Sequence, residues 1–338
     1  MVDWQLLEIR PIPKGVGRIV SIANQKGGVA KTTTTVNLGA ALALRGHRVL
    51  IVDVDPQANA TTGVGLDHRV AERSTYDLLT GDATLDDAIV STPIARLDCV
   101  PASLDLAGAE IELTGAMARE RKLAEALAGV GDRYDLVFLD CPPSLGLLTV
   151  NALAAAEDLV VPVQCEYYAL EGLGQLVDTA QRVQGSLNPD LRIAGFVMTM
   201  YDARTKLAAQ VRDDVREHFG DFVYRTVIPR SVRLSEAPSF GEPVLTLDPS
   251  SKGAVAYRLL ATEVEERYGL EVHVPPPPPP KPRDVNDDKE ETIVLDDPRP
   301  EVVGSTPGPR GRGYGHMTSM PEGIETAFPR TSVWEVKR

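Results

Sequence analysis

The chain has 338 residues, 43% hydrophobic and 25% charged, with a formal net charge of −13. That balance supports one large or two small domains with a buried core. It excludes a dedicated, broadly basic nucleic-acid binder, while leaving room for a local basic patch. No apolar run reaches the ~18 residues of a membrane span. The opening MVDWQLLEIR carries Asp3 and Glu8 where a secretion signal is basic and then apolar. The three cysteines, Cys99, Cys141 and Cys165, lie far apart with no paired framework. Reduced, buried thiols in a cytoplasmic protein are expected.

Residues 1–17 form a short extension ahead of the first apolar run. From there, strand-like runs alternate with helical stretches as far as residue 273. Strands are expected over residues 18–23, 48–54, 97–101, 134–140, 159–163, 193–200 and 223–228. Several are apolar at nearly every position, as strands covered on both faces must be. Between the first two, residues 32–45 read as a helix that ends at Gly46. The alternation predicts an α/β fold, a doubly wound and mostly parallel sheet flanked by helices. After His273 the composition changes. Residues 274–338 hold 13 of the 26 prolines, six of them consecutive from Pro275 to Pro280. Such a tail cannot bury enough surface to offset its ordering entropy, so a stiff polyproline spacer followed by disorder is expected. Ile293–Leu295 and Val333–Trp334 are candidate docking motifs within it, or the tail is simply solvated.

The first strand runs into Asn24-Gln-Lys-Gly-Gly-Val-Ala-Lys-Thr-Thr33 and then the helix. A small-residue loop at a strand-to-helix junction aims several backbone N–H groups at one spot. The helix N-terminus adds its positive end, so a phosphate chain fits there. Lys31 would neutralise the β and γ phosphates of a nucleotide, and the Thr32 hydroxyl would ligate Mg²⁺. The pattern G-x-x-x-x-G-K-[ST] is not met, because Gln25 and Ala30 stand at its glycine positions. A methyl at Ala30 is tolerated there if φ is negative. The second strand ends Asp53-Val-Asp55-Pro-Gln-Ala-Asn59, and carboxylates at i and i+2 share one strand face. At the carboxyl ends of parallel strands they would meet a ligand crevice, or they merely cap the following turn. The strand over 134–140 ends in Asp140 and continues Cys-Pro-Pro-Ser-Leu-Gly146. A carboxylate there suits a role in holding Mg²⁺ through water. Cys141 lacks a paired thiol or base and reads as structural. Asn151 reads either as support for the site or as a polar helix-face residue.

The loop Lys26-Gly27-Gly28-Val29-Ala30-Lys31-Thr32 resembles the deviant Walker A motif, K-G-G-x-G-K-[ST], of the ParA/MinD family of ATPases. The Asp53–Asn59 and Asp140–Gly146 segments resemble switch I and switch II of its chromosomal, Soj-like ParA members. Gln164–Gly172, Met200–Arg204 and Ile228–Pro238 extend the likeness, with Ser231 in place of the usual asparagine. The resemblance implies a P-loop ATPase in which residues 26–33 cradle ATP, and Asp53 supports Mg²⁺ through water. It further implies that Asp55 orients the attacking water, Lys26 reaches a partner subunit's nucleotide, and Pro229 packs on the base. Ala30 at a glycine position lowers the hydrolysis rate to be expected.

The resemblance also implies an ATP-dependent homodimer and a ParB-like partner that stimulates hydrolysis. It implies non-specific DNA binding through Arg204, Arg233 and Lys252, and a cytoplasmic, nucleoid-associated location. Residues 204–233 carry seven Lys or Arg against four Asp or Glu, a basic stretch in an acidic chain. Seventeen residues before the first strand are too few for the added helix-turn-helix domain of autorepressing plasmid relatives. An orphan positioner of another cargo is the alternative. A MinD-like membrane ATPase needs a basic amphipathic C-terminal helix, whereas residues 253–268 carry Glu263, Glu265 and Glu266. An iron–sulfur relative would need interface cysteines, which this chain does not supply.

Overall fold

The structure, a computed structural model, describes residues 17–166 and 171–271. The expectations for residues 1–16 and for the tail from 274 onward lie outside the described residues, as do Tyr167 to Leu170 of one quoted motif.

Among the described residues the chain forms β1 (Arg18–Ile22), β2 (Val49–Asp53), β3 (Val90–Ser91), β4 (Leu97–Val100), β5 (Leu136–Asp140), β6 (Asp158–Gln164), β7 (Arg192–Tyr201) and β8 (Val223–Pro229). They make one sheet in the order β3-β4-β2-β5-β1-β6-β7-β8. Neighbours are parallel throughout, except that β3 runs antiparallel to β4. Strand β3 was not expected, because two residues show no alternation.

The α-helices are α1 (Lys31–Leu44), α2 (Asn59–Gly63), α3 (Thr75–Thr80), α4 (Leu85–Ala88), α5 (Leu106–Glu112) and α6 (Lys122–Ala126), then α7 (Leu147–Ala155), α8 (Glu171–Ser186), α9 (Lys206–Phe219), α10 (Val232–Glu236), α11 (Val244–Leu247) and α12 (Lys252–Tyr268). Helices α3 to α9 cover one sheet face, while α1, α2 and α10 to α12 cover the other. Every residue of β2 and β5 is buried, and their side chains alternate between two cores. Leu50, Val52, Val137 and Leu139 enter one core; Val49, Ile51, Leu136 and Phe138 enter the other.

The order of the strands decides where a ligand can bind. From β1 the chain crosses through α1 past β5 to β2, and from β5 it crosses through α7 past β1 to β6. The two crossovers leave in opposite directions, so the neighbouring carboxyl ends of β1 and β5 open a crevice between them.

Two of the three acids of α12 that tell against a basic membrane-binding helix lie inside the fold. Glu263 and Glu265 are buried, and Glu266 is exposed. Glu265 accepts hydrogen bonds from Arg45 Nε at 2.7 Å and pairs with His47 Nε2 at 2.8 Å, tying α12 to the end of α1. Strand β8 loses register with β7 between Val223 and Val227. Within that bulge the N–H groups of Arg225 and Thr226 donate to Glu263, at 2.7 and 3.0 Å.

Candidate active site

The loop after β1 is fixed from both sides before any ligand is considered. Asn24 Nδ2 donates to Pro162 O at 2.8 Å, and its Oδ1 accepts from Lys26 N at 2.9 Å. Thr199 Oγ1 donates to Val29 O at 3.0 Å, so β7 supports the middle of the loop. Gly28 takes a φ of +73°, a conformation that a side chain strains. Ala30 precedes α1 at φ +69° and ψ +35°. The condition under which a methyl was expected to be tolerated is therefore not met: alanine here is held in the left-handed region.

Lys31, Thr32, Asp53, Asp55 and Asp140 converge on the crevice. Lys31 is buried, with Nζ 3.3 Å from Lys26 O. Burial lowers its pKa, against the charges of Asp140 and Asp55, which raise it. Thr32 Oγ1 donates to Asp140 Oδ2 at 2.7 Å. Asp53 and Asp140 are partners in register across β2 and β5, and both are fully buried. Asp53 Oδ2 accepts from Thr61 N at 2.8 Å and Thr61 Oγ1 at 2.7 Å. Burial raises the pKa of both carboxyls, and each is raised further by nearby carboxylates: Asp53 and Asp55 act on Asp140, and Asp55 acts on Asp53. Two desolvated acids side by side, with a hydroxyl and an ammonium nearby, fit a divalent cation bound with a phosphate chain.

Asp55 is buried at 7% exposure, and its Oδ1 accepts from Gln57 N at 3.0 Å. Both switch I acids thus brace the following turn. Asp55 Oδ2 carries no hydrogen bond among the described residues. Lys26 lies at the rim, 3.3 Å from Glu166.

Pro229, Ala30, Thr33, Met200, Ser231 and Tyr257 line a cavity of about 130 Å³ beside the loop. Met200 shares the positive φ of Ala30, at +52°. Thr34 Oγ1 sits 3.2 Å from Tyr257 Oη, which joins α1 to α12 beneath this cavity.

The three DNA-contact candidates sit apart from the crevice on adjoining elements. A Cβ on Gly253 would lie 2.6 Å from Leu234, so α10 packs closely on the start of α12, where Lys252 is exposed. Arg230 N donates to Tyr201 O at 2.9 Å, bringing the loop before α10 to the end of β7 and the Arg204 loop. Arg204 pairs with Asp202 at 2.7 Å, and Arg233 with Glu236 at 3.1 Å and Asp248 at 3.4 Å. Arg225 of the same basic stretch pairs with Glu263 and Glu266. Acids outside residues 204–233 therefore offset part of the charge counted within it.

Asn151 is a structural residue. Its Oδ1 accepts from Leu123 N at 3.1 Å, and its Nδ2 donates to Arg119 O at 2.8 Å and Leu147 O at 3.0 Å. Burial raises the pKa of the Cys141 thiol, in keeping with a structural cysteine. Sequence reasoning missed Thr61, which holds Asp53, and Thr35, whose hydroxyl meets Asp140. For Thr35 the available signal was four threonines opening one helix, a costly choice on propensity alone.

The AAA domain family matches residues 17–193. The sporulation initiation inhibitor protein Soj of Bacillus subtilis is 56% identical over 249 residues, covering 74% of this chain and 98% of its own. The chromosome partitioning protein ParA of Caulobacter vibrioides is 54% identical over 252 residues, covering 74% of this chain and 94% of its own. A solved structure described as cobyrinic acid a,c-diamide synthase from Mycobacterium smegmatis, with a bound ATP analogue and magnesium, is 41% identical. It superposes with a TM-score of 0.67 and covers 75% of this chain and 97% of its own. With this loop, the acids at these strand ends and relatives more than half identical over 74% of the chain, the chain belongs to the ParA/Soj family of P-loop ATPases.

Proposed function

We propose that the protein is a partitioning ATPase that binds ATP with Mg²⁺, pairs as a homodimer and holds DNA without sequence preference, and that a ParB-like partner stimulates its hydrolysis. The observation that carries the reading is the convergence of Lys31, Thr32, Asp53, Asp55 and Asp140 at the crevice between β1 and β5. The M. smegmatis relative, which holds an ATP analogue with magnesium, supports it. Residues 18–273 form the ATPase domain, 1–17 a short extension and 274–338 a Pro-rich tail, in a protein at work in the cytoplasm on the nucleoid.

On this reading each residue takes a part that its placement supports. The N–H groups of residues 27–33 receive the phosphates, and Lys31 neutralises the β and γ oxygens. Mg²⁺ bound there would offset phosphate charge; Thr32 would ligate it, with Asp53 and Asp140 holding its waters. Asp55 orients the attacking water through its open Oδ2. Lys26 leaves Glu166, an exposed pair worth at most about 1 kcal/mol, to meet the partner's nucleotide. Pro229 covers the base. Arg204 and Arg233, both exposed, exchange half-buried carboxylate partners for DNA phosphates, with Lys252 beside them.

The test is nucleotide binding and turnover in two variants. Lys31→Ala loses a charge-assisted contact in a desolvated site, so affinity for a fluorescent ATP analogue falls ~10²-fold or more. Asp55→Ala keeps that affinity, nearly stops hydrolysis and accumulates dimer on size exclusion. Wild-type affinity in the first variant, or wild-type turnover in the second, refutes the assigned roles.

A further inference from the structure

Asp140 is gripped at both oxygens by one helix. Thr32 Oγ1 reaches Oδ2 at 2.7 Å, and Thr35 Oγ1 reaches Oδ1 at 2.7 Å. The two threonines stand three apart on α1, so they share the helix face turned toward the end of β5. Thr35 is fully buried, and its hydroxyl has one proton to give. Its other acceptor within reach, Lys31 O, lies at 3.2 Å, so the shorter bond to the carboxylate takes that proton. A carboxylate held by one donor can swing about its last torsion. Held by two, it presents its remaining lone pairs in a fixed direction, here into the crevice.

The two donors have different duties. Thr32 is the residue whose oxygen would also ligate the cation; Thr35 lies one turn deeper, away from the phosphate loop, and gives its proton to Asp140. We propose that Thr35 is a positioning residue for the metal: its hydrogen bond to Oδ1 sets the plane of the Asp140 carboxylate so that this acid holds a water of the bound divalent ion. The inference rests on the Mg²⁺–ATP reading above.

The experiment separates metal affinity from nucleotide affinity. Full-length wild type, Thr35→Val and Thr35→Ser are titrated with Mn²⁺, read by electron paramagnetic resonance, with a non-hydrolysable ATP analogue present. Nucleotide binding without divalent metal and the thermal midpoint are measured alongside. Valine keeps the shape of threonine and removes the hydroxyl. Loss of a partner that orients a metal-holding group weakens Mn²⁺ binding ~10-fold, with metal-free nucleotide affinity unchanged, and serine restores the metal affinity. Thr35→Ala removes the same hydroxyl if the valine variant folds poorly. Unchanged Mn²⁺ affinity in both hydroxyl-free variants overturns the proposal, as does a loss that serine fails to restore. If wild type itself shows no metal-dependent nucleotide binding, the functional reading falls as well.

Discussion

Replacing Ala30 by glycine should stabilise the protein, because residue 30 caps α1 in a conformation that glycine adopts without strain. Ala30 is held at φ +69° and ψ +35°, and its carbonyl accepts from Thr34 N at 2.9 Å, so the first turn of α1 fixes this conformation. A Cβ in the left-handed region costs about 1–2 kcal/mol, which glycine removes. Two terms oppose the gain. The unfolded chain acquires freedom worth about 0.4–1 kcal/mol. A half-buried methyl is also lost from the wall of the base-side cavity, about 0.4 kcal/mol at half the value of a buried methylene. At the middle of these ranges the balance is about 0.4 kcal/mol in favour of Ala30→Gly, or ~1 °C in thermal midpoint for a domain of this size. Ala30→Val puts a branched side chain at the same φ and should fall below wild type by more than ~1 kcal/mol. Urea unfolding of the three proteins without nucleotide orders them glycine, alanine, valine. Valine equal to or above alanine would show that residue 30 does not hold a positive φ in solution, and the strain argument would fail.

Charge reversal on the basic face should act on DNA and spare nucleotide. Arg233→Glu should abolish ATP-dependent retention of two unrelated duplexes and Arg204→Glu should weaken it. The log–log salt slope should flatten by ~0.9 for each DNA phosphate that is no longer neutralised; equal retention with ADP, ATP and no nucleotide would contradict this. Truncating the buried acid of α12, Glu265→Ala, leaves Arg45 and His47 without their carboxylate and should cost about 3–5 kcal/mol, on the order of 10 °C in midpoint. Burial alone would raise the Glu265 pKa, but hydrogen bonds from His47 and Arg45 hold it below the usual carboxylate range. A depressed folded value means that this stabilisation is present above the unfolded pKa of about 4.3 and fades as pH falls through the folded one. A midpoint gap between variant and wild type that widens below pH 4 would contradict that sign.

The fold was legible because strands such as β2 and β5, apolar at every residue but the last, have no other way to be buried than inside a covered parallel sheet. The crevice was legible too, since Lys31 and Thr32 open the helix that follows the phosphate loop, and Asp53 and Asp140 end apolar strands. What escaped was set by contacts between distant parts of the chain. Alanine reports nothing of its φ, so the left-handed turn at Ala30 had no local signature. The burial of Glu263 and Glu265 had no local signature, because the N–H groups of β8 and the side chains of Arg45 and His47, which claim them, come from far along the chain. Asp202, by contrast, lies two residues from Arg204 inside a quoted motif, and that pair was there to be seen.

The bulge in β8 bears on a hazard of crowding. A sheet that ends in an open strand offers its bare N–H row to any neighbouring molecule, and copies gathered along one scaffold meet often. Here a carboxylate from the same chain already occupies two of those donors. A strand that slides alongside finds negative charge where it needs hydrogen to share. The kink of the bulge also turns the strand away from a straight, stackable line. Pairing of a second strand along β8 is therefore disfavoured where Glu263 sits.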